Sequence, residues 1–121
     1  MPVKNIKDVA INDVKTGVST TIQVLISPSE GSNFAMRHFI MQPGGSIPGH
    51  TNTVEHEQFV LNGQARIGIG DETFEVKKGD VVFIPEGVPH WYQNLGVDDF
   101  EFLCIIPNKP DEIKLLDGSS C

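Results

Sequence analysis

Short apolar and β-branched runs recur along this chain, and each is closed within a few residues by Gly, Pro, Asn or Asp. No long stripe with helical spacing and caps competes with them, so the expected fold class is all-β. The predicted strands are Thr20–Ser27, Asn33–Gln42, Glu55–Leu61, Gln64–Ile69, Thr73–Lys77, Val81–Ile84, His90–Gln93 and Phe100–Ile106. Between them lie Pro43-Gly44-Gly45, Asn62-Gly63, Gly70-Asp71, Lys78-Gly79-Asp80 and Pro85-Glu86-Gly87. Asn62-Gly63 and Gly70-Asp71 are hairpin signals, because Gly and Asn tolerate the positive φ of a tight turn. Many short strands must hide their edges, and a closed barrel or a jelly-roll sandwich does this.

With 121 residues and 39% hydrophobic content, the chain can close one core and has nothing left for a second. One domain over residues 1–121 is expected, its barrel spanning about 18–107. Met1–Val14 is expected to add an edge strand or wrap the barrel, and Lys109–Cys121 to trail away with at most one helical turn. Nine Lys+Arg against 16 Asp+Glu give a net charge of -7, which repels nucleic acid and anionic membrane surfaces. No apolar stretch reaches the length of a signal peptide or a bilayer span, so a soluble, cytoplasmic protein is expected. The two cysteines, Cys104 in an apolar run and Cys121 on a loose end, resemble no disulfide or zinc pattern and read as free thiols.

Of the four histidines, three lie at strand breaks or turns. A lone histidine is ordinarily a satisfied core or surface residue. In an extended chain even offsets share a face, so His50, Asn52 and His56 can all point inward, while His90 arrives from a different hairpin. Ligands converging from two hairpins suit a transition metal in a barrel interior. The segment GDVVFIPEGVPHWYQN fits the pattern G(X)5PXG(X)2H(X)3N at Gly79, Pro85, Gly87, His90 and Asn94. Agreement at five fixed positions arises by chance on the order of once in a hundred thousand.

That pattern is the second cupin motif, and the chain resembles the cupin superfamily. The first motif, G(X)5HXH(X)3,4E(X)6G, is met by Gly44, His50 and Gly63, with Asn52 in place of the second His and His56 in place of the Glu. The segments NFAMRHFIMQPGG, EHEQFVLNG and EFLCIIP are similar to small single-domain bacterial cupins with a four-histidine metal site. The resemblance implies a double-stranded β-helix, or jelly-roll barrel, with His50, His56 and His90 as ligands and Asn52 at the fourth position. A neutral amide oxygen is a weaker donor than imidazole, so Asn52 either ligates poorly or holds a water. The expected cofactor is a divalent transition metal, with Mn, Fe, Ni, Cu and Zn all compatible with imidazole.

Strand parity puts Gln58 and Tyr92 on the ligand face, and the resemblance puts Arg37 inward, leaving His38 outward. These three are the candidate catalytic residues: Gln58 to hold substrate or metal-bound water, Tyr92 to line the site or serve as a base, and Arg37 to orient a carboxylate or to form a structural ion pair. Cys104 faces inward, either as plain core or near the metal. Three neutral imidazoles with labile positions resemble the sites of cupin dioxygenases, which makes an Fe- or Mn-dependent dioxygenase acting on a small molecule the leading expectation. A redox-neutral isomerase or lyase and a non-catalytic ligand- or metal-binding barrel are the alternatives. A homodimer is expected, because Leu103 and Ile105 are apolar and face outward, and because the resemblance implies it.

Overall fold

The computed structural model describes residues 2–116. Cys121 and the last turn of the predicted tail lie outside them. After a short 3-10 turn at Ile6–Asp8 the chain forms ten strands: β1 (Asn12–Asp13), β2 (Val18–Ile26), β3 (Phe34–Thr51), β4 (His56–Asn62), β5 (Gln64–Ile69), β6 (Glu72–Lys77), β7 (Val81–Ile84), β8 (His90–Gln93), β9 (Phe100–Pro107) and β10 (Lys114–Leu115). All described pairings are antiparallel, and the main path runs β6-β5-β8-β3-β9-β4-β7. The all-β jelly roll expected from the turn signals is borne out.

Period-two burial places the core. On β9, Phe100, Phe102 and Cys104 are buried while Glu101, Leu103 and Ile105 lie on the other face. On β4 and β7 the same alternation buries His56, Gln58, Val60, Val82 and Ile84. Phe102 stacks between Phe39 and Tyr92, with ring centroids 4.9 and 5.2 Å away. Full burial of a side chain of this size contributes about 1.5–3 kcal/mol. Asn62-Gly63 bends the chain, but the flanking β4 and β5 do not pair with each other, so the hairpin expected there is corrected, whereas Gly70-Asp71 closes the β5–β6 hairpin as expected. Gly63 has φ +74, and a Cβ there would lie 2.3 Å from the Asp99 carbonyl, so only glycine fits.

Two further expectations are corrected. Pro43-Gly44-Gly45 does not end a strand, because β3 runs on through it to Thr51. The backbone there remains paired, Gly44 N donating to Asn94 O at 3.0 Å and Asn94 N to Gly45 O at 2.9 Å. This corner lets β3 pair with β2 and β9 on one side and with β8 and β10 on the other. The segment after Pro107 is the second correction: its described residues make no helical turn but return to β3 as β10, with Leu115 opposite His50. At the other end, β1 adds the edge strand expected before Val14.

Candidate metal centre

β3 and β8 set two imidazoles face to face. His50 and His90 are cross-strand partners whose rings stand 4.1 Å apart, and the His56 ring at the start of β4 lies 5.4 Å from that of His90. Each of the first two is aimed by its own turn: His50 Nδ1 donates to Pro48 O at 2.9 Å and His90 Nδ1 to Val88 O at 3.0 Å. A carbonyl only accepts, so both rings carry the proton on Nδ1 and present a bare Nε2.

His56 is held from behind. Its Nδ1 is 3.1 Å from Cys104 Sγ and 3.2 Å from Arg37 Nη2, and Arg37 also donates to the sulfur at 3.1 Å. The two contacts ask for opposite tautomers: Arg37 only donates, which makes Nδ1 an acceptor, whereas a bare Nε2 requires the Nδ1 proton to go to the Cys104 sulfur. Arg37 therefore points inward as expected. It meets no carboxylate among the described residues, so the ion-pair alternative is corrected: its guanidinium lies against Cys104, His56 and the face of Phe39, 5.2 Å from the ring centroid. Register explains the cluster, since Arg37 and Gln58 both sit opposite Cys104 on adjacent strands.

Asn52 is buried just past the end of β3. Its Nδ2 donates to Asp111 Oδ2 at 3.0 Å. Asn52 Oδ1 and His56 Nε2 are both buried without a hydrogen-bond partner among the described residues. Buried acceptors of this kind are rare unless water or an ion meets them. No three His, Cys, Asp or Glu side chains among the described residues are drawn to full ligand spacing about one point. The donor set nevertheless suits a divalent transition metal: three imidazoles from two directions plus one neutral oxygen.

Gln58 and Tyr92 complete the floor. Gln58 Nε2 donates to Tyr92 Oη at 2.7 Å, which leaves the phenol proton free to be donated in turn. Burial, and next the neighbouring Cys104, push the Tyr92 phenol well above its ordinary range. It keeps its proton and can donate a hydrogen bond. Above this floor a cavity of about 210 Å³ rises between apolar walls that include Val14, Ile22, Ile47 and Ile113. No Asp or Glu is among the residues lining it.

His38 faces the opposite side, as parity predicts. Its ring bonds to Gln23 Oε1 at 2.8 Å and Glu101 Oε1 at 2.9 Å. Gln23 in turn holds the carbonyls of Ile6 and Val9. Among the motif residues, Asn94 is wholly structural: it donates to Met41 O and Asp98 O and accepts from Gly96 N. Sequence reasoning missed Asp111, whose carboxylate meets Asn52, Thr53 N and Thr53 Oγ1 from 58 and 59 positions away. A single acidic residue in a polar tail gives no pattern by which to find it.

Burial, then the Arg37 charge, lower the His56 pKa to about 3, and burial, then His50, lower that of His90 to about 4. Both stay neutral in the folded chain, whereas in the unfolded chain they take up protons near 6.5. The unfolded state thus binds more protons between these values, and stability that is full above pH 6.5 is lost as pH falls toward 4. The melting temperature of chelator-treated protein is expected to fall across that window, and to fall less in His90→Gln. A flat profile would refute the buried neutral pair.

Residues 37–106 match the family model described as the cupin domain. The fold superposes on the polyketide cyclase RemF from Streptomyces resistomycificus with a TM-score of 0.89 and 30% identity, covering 98% of this chain and 87% of that one. A protein described as a predicted oxalate decarboxylase from Thermotoga maritima shares the fold at TM-score 0.78 and 21% identity, covering 94% of this chain and 99% of that one. The uncharacterized protein MJ1618 of Methanocaldococcus jannaschii is 26% identical over 99 residues, 82% of this chain and 69% of that protein. With the family model covering more than half of the chain, on this antiparallel double-stranded β-helix, the protein belongs to the cupin family.

Proposed function

We propose that this protein is a metal-dependent enzyme of redox-neutral carbonyl chemistry, acting on a small, largely apolar compound in which two carbonyl groups flank one C–H carbon. One observation carries this reading: three imidazoles, His50, His56 and His90, line one cavity with a phenol that keeps its proton, and Val14, Ile22, Ile47 and Ile113 make its walls largely apolar. His50, His56 and His90 would hold a divalent ion, with the Asn52 oxygen beside them. Such an ion supplies Lewis-acid polarisation of a carbonyl oxygen.

The chain's own residues supply the rest. Gln58 fixes the Tyr92 hydroxyl through the 2.7 Å bond, so the phenol donates to negative charge developing on a carbonyl oxygen. The apolar walls exclude water, and a ~150 Å³ apolar cavity already accommodates benzene, so this one takes a somewhat larger ring. Arg37 is turned toward Cys104 and His56 and acts on the substrate through that layer. With no carboxylate lining the cavity, the reading favours substrates whose C–H is already acidified by two flanking carbonyls. RemF, to which this chain is 30% identical, is by name a polyketide cyclase, and that supports the reading.

Protein loaded with Zn²⁺ or Mn²⁺ is expected to exchange deuterium from D2O into the activated carbon of cyclic 1,3-diketones without taking up O2. Chelator or Tyr92→Phe should slow the exchange. O2 uptake on those diketones would instead favour the Fe- or Mn-dependent dioxygenase, the second reading, which the neutral three-imidazole set supports. Neither exchange nor uptake, with metal bound, would leave a ligand-binding barrel.

The reading includes a homodimer. Phe59, Val81 and Phe83 are exposed on the outer face of β4 and β7, beside the half-buried Leu103 and Ile105. A mainly apolar face of this kind, with Glu57 between Phe83 and Ile105, suits a self-complementary two-fold contact. Sedimentation is expected to give twice 13.3 kDa, and Phe83→Lys to give monomer. A monomeric wild type at micromolar concentration would refute it.

A further inference from the structure

We infer that Asp111 is a positioning residue that sets the amide of Asn52, so that its oxygen rather than its NH2 faces the three histidines. The inference rests on the metal-site reading above. An asparagine amide can flip, and which end faces a site is decided by its partners. Here the partner admits one answer. An ionised carboxylate only accepts, so the end of Asn52 against Asp111 Oδ2, 3.0 Å away, has to be the NH2. The oxygen is thereby turned inward, and it is the atom left buried without a partner.

Asp111 is itself fixed. Its Oδ1 accepts from Thr53 N at 2.9 Å and Thr53 Oγ1 at 3.2 Å. The same hydroxyl accepts from Glu112 N at 2.9 Å. The backbone carrying Asp111 is tied down on both sides, by Asn108 N on Asn33 O and by β10 on β3. The C-terminal strap thus builds the fourth position of the site, where the first cupin motif carries histidine.

A charge near a cation also attracts it directly, so the test has to separate orientation from charge. Co²⁺ affinity would be measured by chelator competition on the full chain for wild type, Asn52→Ala, Asp111→Ala and the double variant, with the visible Co²⁺ spectrum as a second readout. Asn52→Ala and Asp111→Ala are each expected to weaken Co²⁺ binding by roughly tenfold, the lower end of what outer partners cost. The double variant should bind no worse than Asn52→Ala alone, and Asp111→Ala should move the Co²⁺ spectrum toward that of Asn52→Ala. Losses that multiply, or no loss in either single variant, would overturn the positioning role while leaving the metal site standing. Wild type binding Co²⁺ no better than His50→Ala would bring down both. Should Asp111→Ala fail to fold, Asp111→Asn serves, since Thr53 N–H claims its one oxygen and its NH2 then meets Asn52, turning the Asn52 oxygen away from the histidines. It is expected to lose affinity in the wild-type background and none beside Asn52→Ala, and a loss in both would overturn the proposal.

Discussion

Replacing His50, His56 or His90 by alanine should lower the affinity for a divalent transition metal by more than about 100-fold each, since loss of a mere outer partner already costs ~10–100-fold. Two of these rings are locked by carbonyls into the tautomer that presents Nε2, and the third is backed by Cys104 and Arg37. Removing any one leaves an open side that the apolar wall cannot fill. His38→Ala should leave metal content unchanged, because its ring is committed to Gln23 and Glu101 on the opposite face. That variant should instead lose stability, by about 1–3 kcal/mol if a buried acceptor is stranded, and loosen the N-terminal segment that Gln23 holds. Metal analysis after dialysis against chelator, beside thermal melts, checks both halves. Metal loss in His38→Ala equal to the others would show that the two faces of β3 have been exchanged.

The same parity made much of the fold legible in advance. Eight predicted strands overlap β2 to β9, because each alternates apolar and polar residues between strong turn residues, and Gly63 at φ +74 is a turn that only one residue type permits. What failed was local reasoning about long-range events. Pro43-Gly44-Gly45 has turn chemistry, yet it continues a strand because Asn94, fifty positions away, pairs with its backbone. The strap failed likewise: Pro110 and the charges around it look solvated, and only the contacts of Asp111 with Asn52 and Thr53 order them. The site was legible where it lay on strands, at His50, His90, Gln58 and Tyr92. It was illegible where a loop supplies the partner, as Asp111 does for Asn52.

Asn52→His is expected to tighten metal binding and to slow turnover on the native substrate, two effects of opposite sign. The position faces the three imidazoles, and a fourth imidazole is a stronger donor than an amide oxygen. The environment is already suited to it: a histidine at 52 with one ring nitrogen toward the metal can donate its other N–H to Asp111, replacing the 3.0 Å bond that Asn52 now makes. Tighter binding would follow from that pairing as much as from the new ligand. The larger ring would also enter a cavity of only about 210 Å³ and occupy a coordination position that substrate oxygen would otherwise use. Binding gained in the ground state then does nothing for the transition state, and turnover falls. Chelator competition checks the first effect, and deuterium exchange at saturating metal the second. An Asn52→His variant that binds metal no better than wild type would mean that the amide oxygen is already a full ligand or that residue 52 does not reach the metal. Asn52→Ala separates these, since only a full ligand leaves a deficit when it is removed.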